Sequence, residues 1–291
     1  MNLQQVKEVI DKADDIFHNC FNWLKHPNSD NKKDNSYLMR FQSELAQGLF
    51  DLMQFYQDIC RNEKKLIIHK ADYKYSWFSN RMSRFKEYKE FLSNAIQIGK
   101  SIGDAFAWMF FQTNMDILQK HLLHNDNGLF VSGIGGLGEI EFIKNNPMFD
   151  GSFVVYHGIT SILRIGDFSL YHPKVGIYAT GELKTKDMGN GLIEVNAIIT
   201  SRIPFSDAFE SIDFKWDSDP DRLKRQQKAM DECLQKIIPD RKNELYDAHM
   251  YYLFDDVECN KESIMVDNLV CKARISFDRR RPLPQNPDVQ V

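Results

Sequence analysis

Asp167 and the triplet Glu182-Leu183-Lys184 are the side chains whose types and spacing could do chemistry together. Two β-rich runs, Ile162 to Tyr171 and Val175 to Thr185, flank the break His172-Pro173-Lys174, and this pattern predicts a hairpin. Side chains alternate along a strand, so Glu182 and Lys184 project from one face. With the turn centred near Pro173 and Lys174, Asp167 is expected across from Thr180, one diagonal step from Glu182. Two carboxylates and an ammonium then converge on one patch of sheet. Hard divalent cations take carboxylate oxygens, water and substrate phosphate as ligands. A bound cation lowers the pKa of its water and offsets charge on a phosphate. A neighbouring lysine is a point charge suited to a phosphoryl oxygen or the attacking water. The set suits phosphodiester hydrolysis.

Read in order, the chain gives a strand, Gly166-Asp167, a turn, an apolar strand ending in Glu182-Leu183-Lys184-Thr185, and then a Gln-bearing helix. In this it resembles the PD-(D/E)xK nuclease superfamily, with its restriction-endonuclease-like fold, over roughly residues 135 to 257. A bare Glu-x-Lys carries little information in a chain this charged, and the pair alone reads equally as a solvated ion pair on an edge hairpin. The ordered set carries the resemblance. It implies Mg2+ or Mn2+ held by Asp167, Glu182 and an upstream helical glutamate, with help from the Leu183 carbonyl. Lys184 would orient the water or offset phosphate charge.

For the upstream acid the resemblance points to a short helix around Gly138 to Ile143, ahead of the strand Phe153 to Tyr156. Glu139 and Glu141 both border the apolar face of Leu137, Ile140 and Ile143, and periodicity does not choose between them. Glu139 is the first choice. Asp104, in the apolar segment Ile102 to Trp108, is a more distant alternative, and its other reading is a helix-packing hydrogen bond. Downstream, Asp219-Pro220 and Pro239 bracket a helix with an apolar stripe of Leu223, Met230, Leu234 and Ile237. Gln226 and Gln227 fall on that stripe. Some branches of the superfamily bring such a Gln to the catalytic centre, which implies Gln226 or Gln227 here; they often add a Tyr four residues on, where this chain has Met230 or Asp231. A further departure is Asn190-Gly191, a turn signal leading into an added strand from Leu192 to Thr200.

Gly133-Ile134-Gly135-Gly136-Leu137-Gly138 satisfies G-x-G-x-x-G, yet the position about twenty residues on, near Tyr156 to Ile159, has no acid for a ribose. The glycines therefore read as a flexible connection into the helix, and no dinucleotide cofactor is expected.

The remaining sequence sets the frame. Residues 1 to about 125 read as helices: one through Val6, Ile10, Ala13, Phe17, Phe21 and Leu24, one through Phe41, Leu45, Leu49, Leu52 and Tyr56, a third from about Arg84 to Ile96, and a fourth from about Ile102 to Leu123. The aromatic group Tyr73, Tyr75, Trp77 and Phe78, beside Arg81, Arg84 and Lys86, reads as core packing, with a binding surface as the alternative. His121 and His124 read as a surface pair. A length of 291 residues, 43% hydrophobic and 12% aromatic, fits a globular protein of two units. A net charge of −4 leaves nucleic-acid contact to local basic patches, Arg222, Lys224, Arg225 and Lys228, or Arg279-Arg280-Arg281. Five scattered cysteines without C-x-x-C spacing argue for a reducing compartment and against a zinc site or disulfide framework. With no basic-then-apolar leader and no membrane-length apolar run, a cytoplasmic location is expected.

The expectation is an α+β or α/β protein: a helical domain over 1–125, for interaction, dimerisation or sensing, and a restriction-endonuclease-like mixed β-sheet flanked by helices over 126–291. Its expected activity is magnesium-dependent phosphodiester hydrolysis of nucleic acid, DNA first, in the manner of a prokaryotic antiviral or restriction effector. Homo-oligomer or partner-protein contacts would use the helical domain, and no membrane partner is expected. The alternative is a non-catalytic protein that binds nucleic acid or protein and keeps the nuclease fold.

Overall fold

Val6, Ala13, Phe17 and Cys20 lie on one face of helix α1 (Leu3–Lys25), and that face is buried. The computed structural model describes residues 3–25, 36–112, 114–124, 133–149, 151–189, 192–201, 220–234, 246–251, 265–267 and 270–278; the last three segments and positions 36, 220–223 and 227 are described by backbone alone. Helix α2 (Ser36–Ile68) buries Phe41, Leu45, Leu49 and Leu52 by the same periodicity. A 3-10 turn (Lys70–Asp72) leads into α3 (Tyr75–Phe111).

The two helices expected over Arg84 to Ile96 and Ile102 to Leu123 are thus one helix to Phe111, followed by the short α4 (Met115–Leu123). Gly99 and Gly103 do not break α3; they let neighbours approach it. A Cβ on Gly99 would meet Phe17 at 2.5 Å, and one on Gly103 would meet the Ile159 carbonyl oxygen at 1.9 Å. Of the aromatic group at the start of α3 only Phe78 packs against the apolar cluster, as expected; Tyr73, Tyr75 and Trp77 are 41%, 78% and 49% exposed. The α2 and α3 ends form the tip of a long hairpin, and these three rings lie on its outer side. His121 is not on the surface either, being fully buried.

Helix α5 (Gly133–Asn145) precedes β1 (Met148–Phe149), β2 (Ser152–Tyr156), β3 (Phe168–His172), β4 (Gly176–Gly189) and β5 (Leu192–Ser201). Then come α6 (Pro220–Leu234), β6 (Tyr246–Tyr251), β7 (Met265–Asp267) and β8 (Val270–Asp278). The sheet order is β1-β2-β3-β4-β5-β8-β7, with β6 also on β5. The added strand after Glu182-Leu183-Lys184 is present as β5. Every ladder among the described strands is antiparallel, so the sheet is not the mixed one expected. Short reversals join β3 to β4 and β4 to β5, while the longer passage through α6 returns β6 antiparallel to β5.

One apolar cluster runs from the helices into the sheet. Phe41 stacks on Phe106 with centroids 4.3 Å apart, and Phe110 stacks on Phe153 at 5.1 Å. Gln42, on α2, is fully buried; its Nε2 donates to the Val154 carbonyl and its Oε1 accepts from Tyr156 N, both at 2.7 Å. The side chain acts as a strand neighbour for the part of β2 that two-residue β1 leaves open. No helix among the described residues is long and apolar enough to cross a membrane. Cys20, Cys60 and Cys233 are free thiols.

Candidate active site

Gly166 explains how Asp167 is delivered. Its φ is +69°, and a Cβ there would lie 2.6 Å from the Gly181 carbonyl oxygen, so only glycine fits. The loop can then turn sharply and press Asp167 against β4. The expected strand over 162–171 accordingly starts only at Phe168; residues 157–167 form a loop. Asp167 N donates to Gly181 O at 2.7 Å, and Asp167 O accepts from His157 N at 2.8 Å.

The register differs from the expected one. Ser169 pairs with Thr180 and Phe168 with Gly181, after a bulge between Leu170 and Tyr171 that leaves Tyr178 as an extra residue on β4. Asp167 therefore continues the ladder toward Glu182 rather than Thr180. Its Oδ2 accepts the Leu183 backbone N–H at 2.5 Å. Glu182 Oε1 receives Lys184 Nζ at 2.5 Å and Gln226 Nε2 at 2.6 Å, and Lys184 Nζ also reaches Gln226 Oε1 at 3.2 Å. A strand acid, a strand base and a helix amide close a three-membered ring of hydrogen bonds. Gln226 reaches it because Met230, Cys233 and Leu234 are buried and fix that face of α6 inward. The Gln227 side chain, Arg222 and Arg279-Arg280-Arg281 lie outside the described side chains. Lys224, Arg225 and Lys228 are exposed.

Glu139 joins this centre from α5. Gly138 makes the approach possible, since a Cβ on it would fall 2.1 Å from Thr185 Oγ1. The glycine run from 133 to 138 is part of α5 itself, not a flexible connection, and at Gly138 it serves close packing against β4. Glu139 is 6% exposed and accepts a short hydrogen bond from the Tyr156 hydroxyl. Its carboxyl is pushed up to about 7, chiefly by burial; the Tyr156 hydrogen bond opposes the rise, Glu182 adds to it, and Lys184 and Lys100 oppose it. Asp167 is held well above the usual carboxylate range, first by burial, then by Glu182 and Glu139, against the Leu183 N–H and Lys184. Buried Lys100, on α3, is lowered by desolvation while Asp104 and Glu139 pull the other way. Three carboxyls and two ammoniums thus share one electrostatic environment.

The two alternative acids go elsewhere. Asp104 accepts from Ser161 N and Ser161 Oγ, both at 2.6 Å, and from Ile162 N at 3.2 Å, tying the 157–167 loop to α3. Glu141 is buried next to Lys144 Nζ at 3.7 Å.

Sequence reasoning missed Tyr156, Lys100 and the histidines. The sequence places Tyr156 only in a core strand, whereas its hydroxyl is what buried Glu139 faces. His121 Nδ1 accepts the N–H groups of Arg164 and Ile165, both at 3.1 Å, so its proton sits on Nε2. His157 Nδ1 donates to Gly166 O at 3.0 Å while its Nε2 accepts from Ser169 Oγ at 2.8 Å. Together they brace the loop that ends at Asp167. His157 stands alone in the sequence and His121 is paired only with His124 at helical spacing, so neither signals the loop it braces.

The side chains left over at this centre are carboxylates, the donor type that hard cations take. Glu139 Oε1, Asp167 Oδ1 and Glu182 Oε2 each accept no hydrogen bond among the described residues, and all three are carboxylate oxygens; the charge of Glu182 adds to the rise at Glu139 and Asp167. Among the described residues no three His, Cys, Asp or Glu side chains form a ready-made cation cage. No family model, curated protein or solved structure matched this chain.

Proposed function

We propose that this protein is a metal-dependent phosphodiesterase acting on nucleic acid, DNA in the first instance, with a PD-(D/E)xK centre on a restriction-endonuclease-like fold. The observation that carries the reading is the ring made by Glu182, Lys184 and Gln226, beside an Asp167 pinned to the Leu183 amide. A surface ion pair has no use for a half-buried amide linking both partners, nor for two further carboxyls beside it that burial, and then the Glu182 charge, hold above their usual range.

Glu139, Asp167 and Glu182 would hold Mg2+ or Mn2+, which supplies charge neutralisation and an acidified water when bound. Asp167 is oriented by the Leu183 amide, so its second oxygen keeps a fixed direction. Gln226 holds both Glu182 and Lys184, so neither side chain pays full rotational freedom on meeting substrate. Lys184 presents its ammonium within reach of a phosphoryl oxygen or a water, where a fixed positive charge stabilises developing negative charge. Tyr156 keeps the buried Glu139 from turning away.

The test is degradation of plasmid DNA by the full chain with magnesium or manganese. Activity should fall at least about a hundredfold in Lys184→Ala and Glu182→Ala, in line with removal of a transition-state charge partner. Unchanged cleavage in both variants, or no cleavage by the wild type with either metal, would leave a binding protein rather than a hydrolase.

A further inference from the structure

The α2–α3 tip carries charge and rings that the centre above does not use. Lys12 Nζ meets Asp51 Oδ2 at 2.6 Å, and α1 runs antiparallel to α2, so Leu3 reaches only to about residue 60 of α2. The hairpin from Arg61 to Lys86 extends past it. This stretch has eight Lys and Arg against two Asp and Glu, a balance of +6 within a chain of net −4. Both acids are engaged, Glu63 with Lys89 Nζ at 2.6 Å and Asp72 with His69 Nδ1 at 3.3 Å. All the basic side chains but Arg81 are exposed.

Rings stand among these cations. Tyr73 and Trp77 stack with centroids 4.6 Å apart at 27°, both exposed, and Tyr75 beside them is almost fully so. Lys70 Nζ lies 5.4 Å from the Phe78 ring centroid. Exposed large rings are costly to leave in water, and a stacked pair offers an outer π-face of the size of a nucleobase.

We infer that this tip is a docking surface for single-stranded nucleic acid, with an unpaired base stacking on Tyr73 and Trp77 and phosphates meeting Lys70 and Lys74. The charge balance favours a polyanion, and the paired rings favour one that carries planar groups between its phosphates. A lipid surface would match the charge but would give the stack no partner. The inference extends the nuclease reading by giving its substrate a second point of attachment, about 40 Å along α3 from where Gly103 meets the 157–167 loop.

Binding is measured by fluorescence anisotropy of a labelled 20-nucleotide single strand, as DNA and as RNA, with the full chain in EDTA, where cleavage plays no part. The Tyr73→Ala/Trp77→Ala double variant should bind at least about tenfold more weakly. Lys70→Ala/Lys74→Ala should flatten the slope of log affinity against log salt by about 1.4. These side chains are exposed, so each variant should melt with the wild type. Equal affinity and slope in wild type and variants overturns the inference, as does wild-type binding to phosphatidylserine vesicles without binding to either strand. Failure here leaves plasmid cleavage untouched, and absence of cleavage leaves tip binding measurable.

Discussion

At Glu139 burial and the neighbouring Glu182 outweigh the Tyr156 hydroxyl and two lysines, and the carboxyl keeps its proton up to about pH 7. A folded-state value above the unfolded 4.5 contributes stability in full below 4.5, and that contribution is lost as pH rises through about 7. By pH 8 the wild type has given up about 3 kcal/mol at this residue. Asp167 is displaced in the same direction. Glu139→Gln cannot ionise and should melt above the wild type at pH 8, with the difference closing by pH 4.5. Thermal melts at the two pH values decide it; a variant that melts lower at both would mean the ionised carboxylate is stabilised in the fold.

Among elements, helix α3 is seated by its glycines. The atom that a Gly103 Cβ would strike is a backbone oxygen at 1.9 Å, which cannot rotate aside, so Gly103→Ala must push α3 away from the 157–167 loop. A cost of about 1–3 kcal/mol is expected, read from urea midpoints. Gly48 is the contrast: its Cβ would meet the flexible end of Ile16 at 3.3 Å, and helix propensity favours alanine by about 1 kcal/mol. Gly48→Ala should be neutral or stabilising. Equal losses at the two positions would contradict the packing account.

On the scale of the whole molecule, helices and sheet share one core, and Gln42 is the polar tie between α2 and β2. Removing its amide strands a buried carbonyl and a buried N–H on β2, each worth about 1–3 kcal/mol. Gln42→Ala should therefore destabilise by about 2–6 kcal/mol, far more than a surface Gln→Ala. Because β2 also carries Tyr156, the proposed cleavage of plasmid DNA should fall in the same variant more than stability loss alone explains. Wild-type stability in Gln42→Ala would show that water replaces the amide.

The hairpin, its turn, the glutamate helix and the Gln helix were legible in the sequence, because strand alternation, proline and helical periodicity are local signals. So were Asp167, Glu182 and Lys184 as neighbours on the hairpin, and Gln226 or Gln227 on the apolar stripe of its helix, since each sits at a position its own element fixes. Local signals could not place the bulge at Tyr178, which moves Asp167 from Thr180 toward Glu182. They could not separate Glu139 from Glu141 either, because that choice is made by a tyrosine hydroxyl on β2 and a glycine contact with β4. Nor could they tell that Tyr73 and Trp77 lie beyond the end of α1. Periodicity tells which face of an element is apolar; only the packing of elements distant in sequence decides what that face meets, and whether it meets anything.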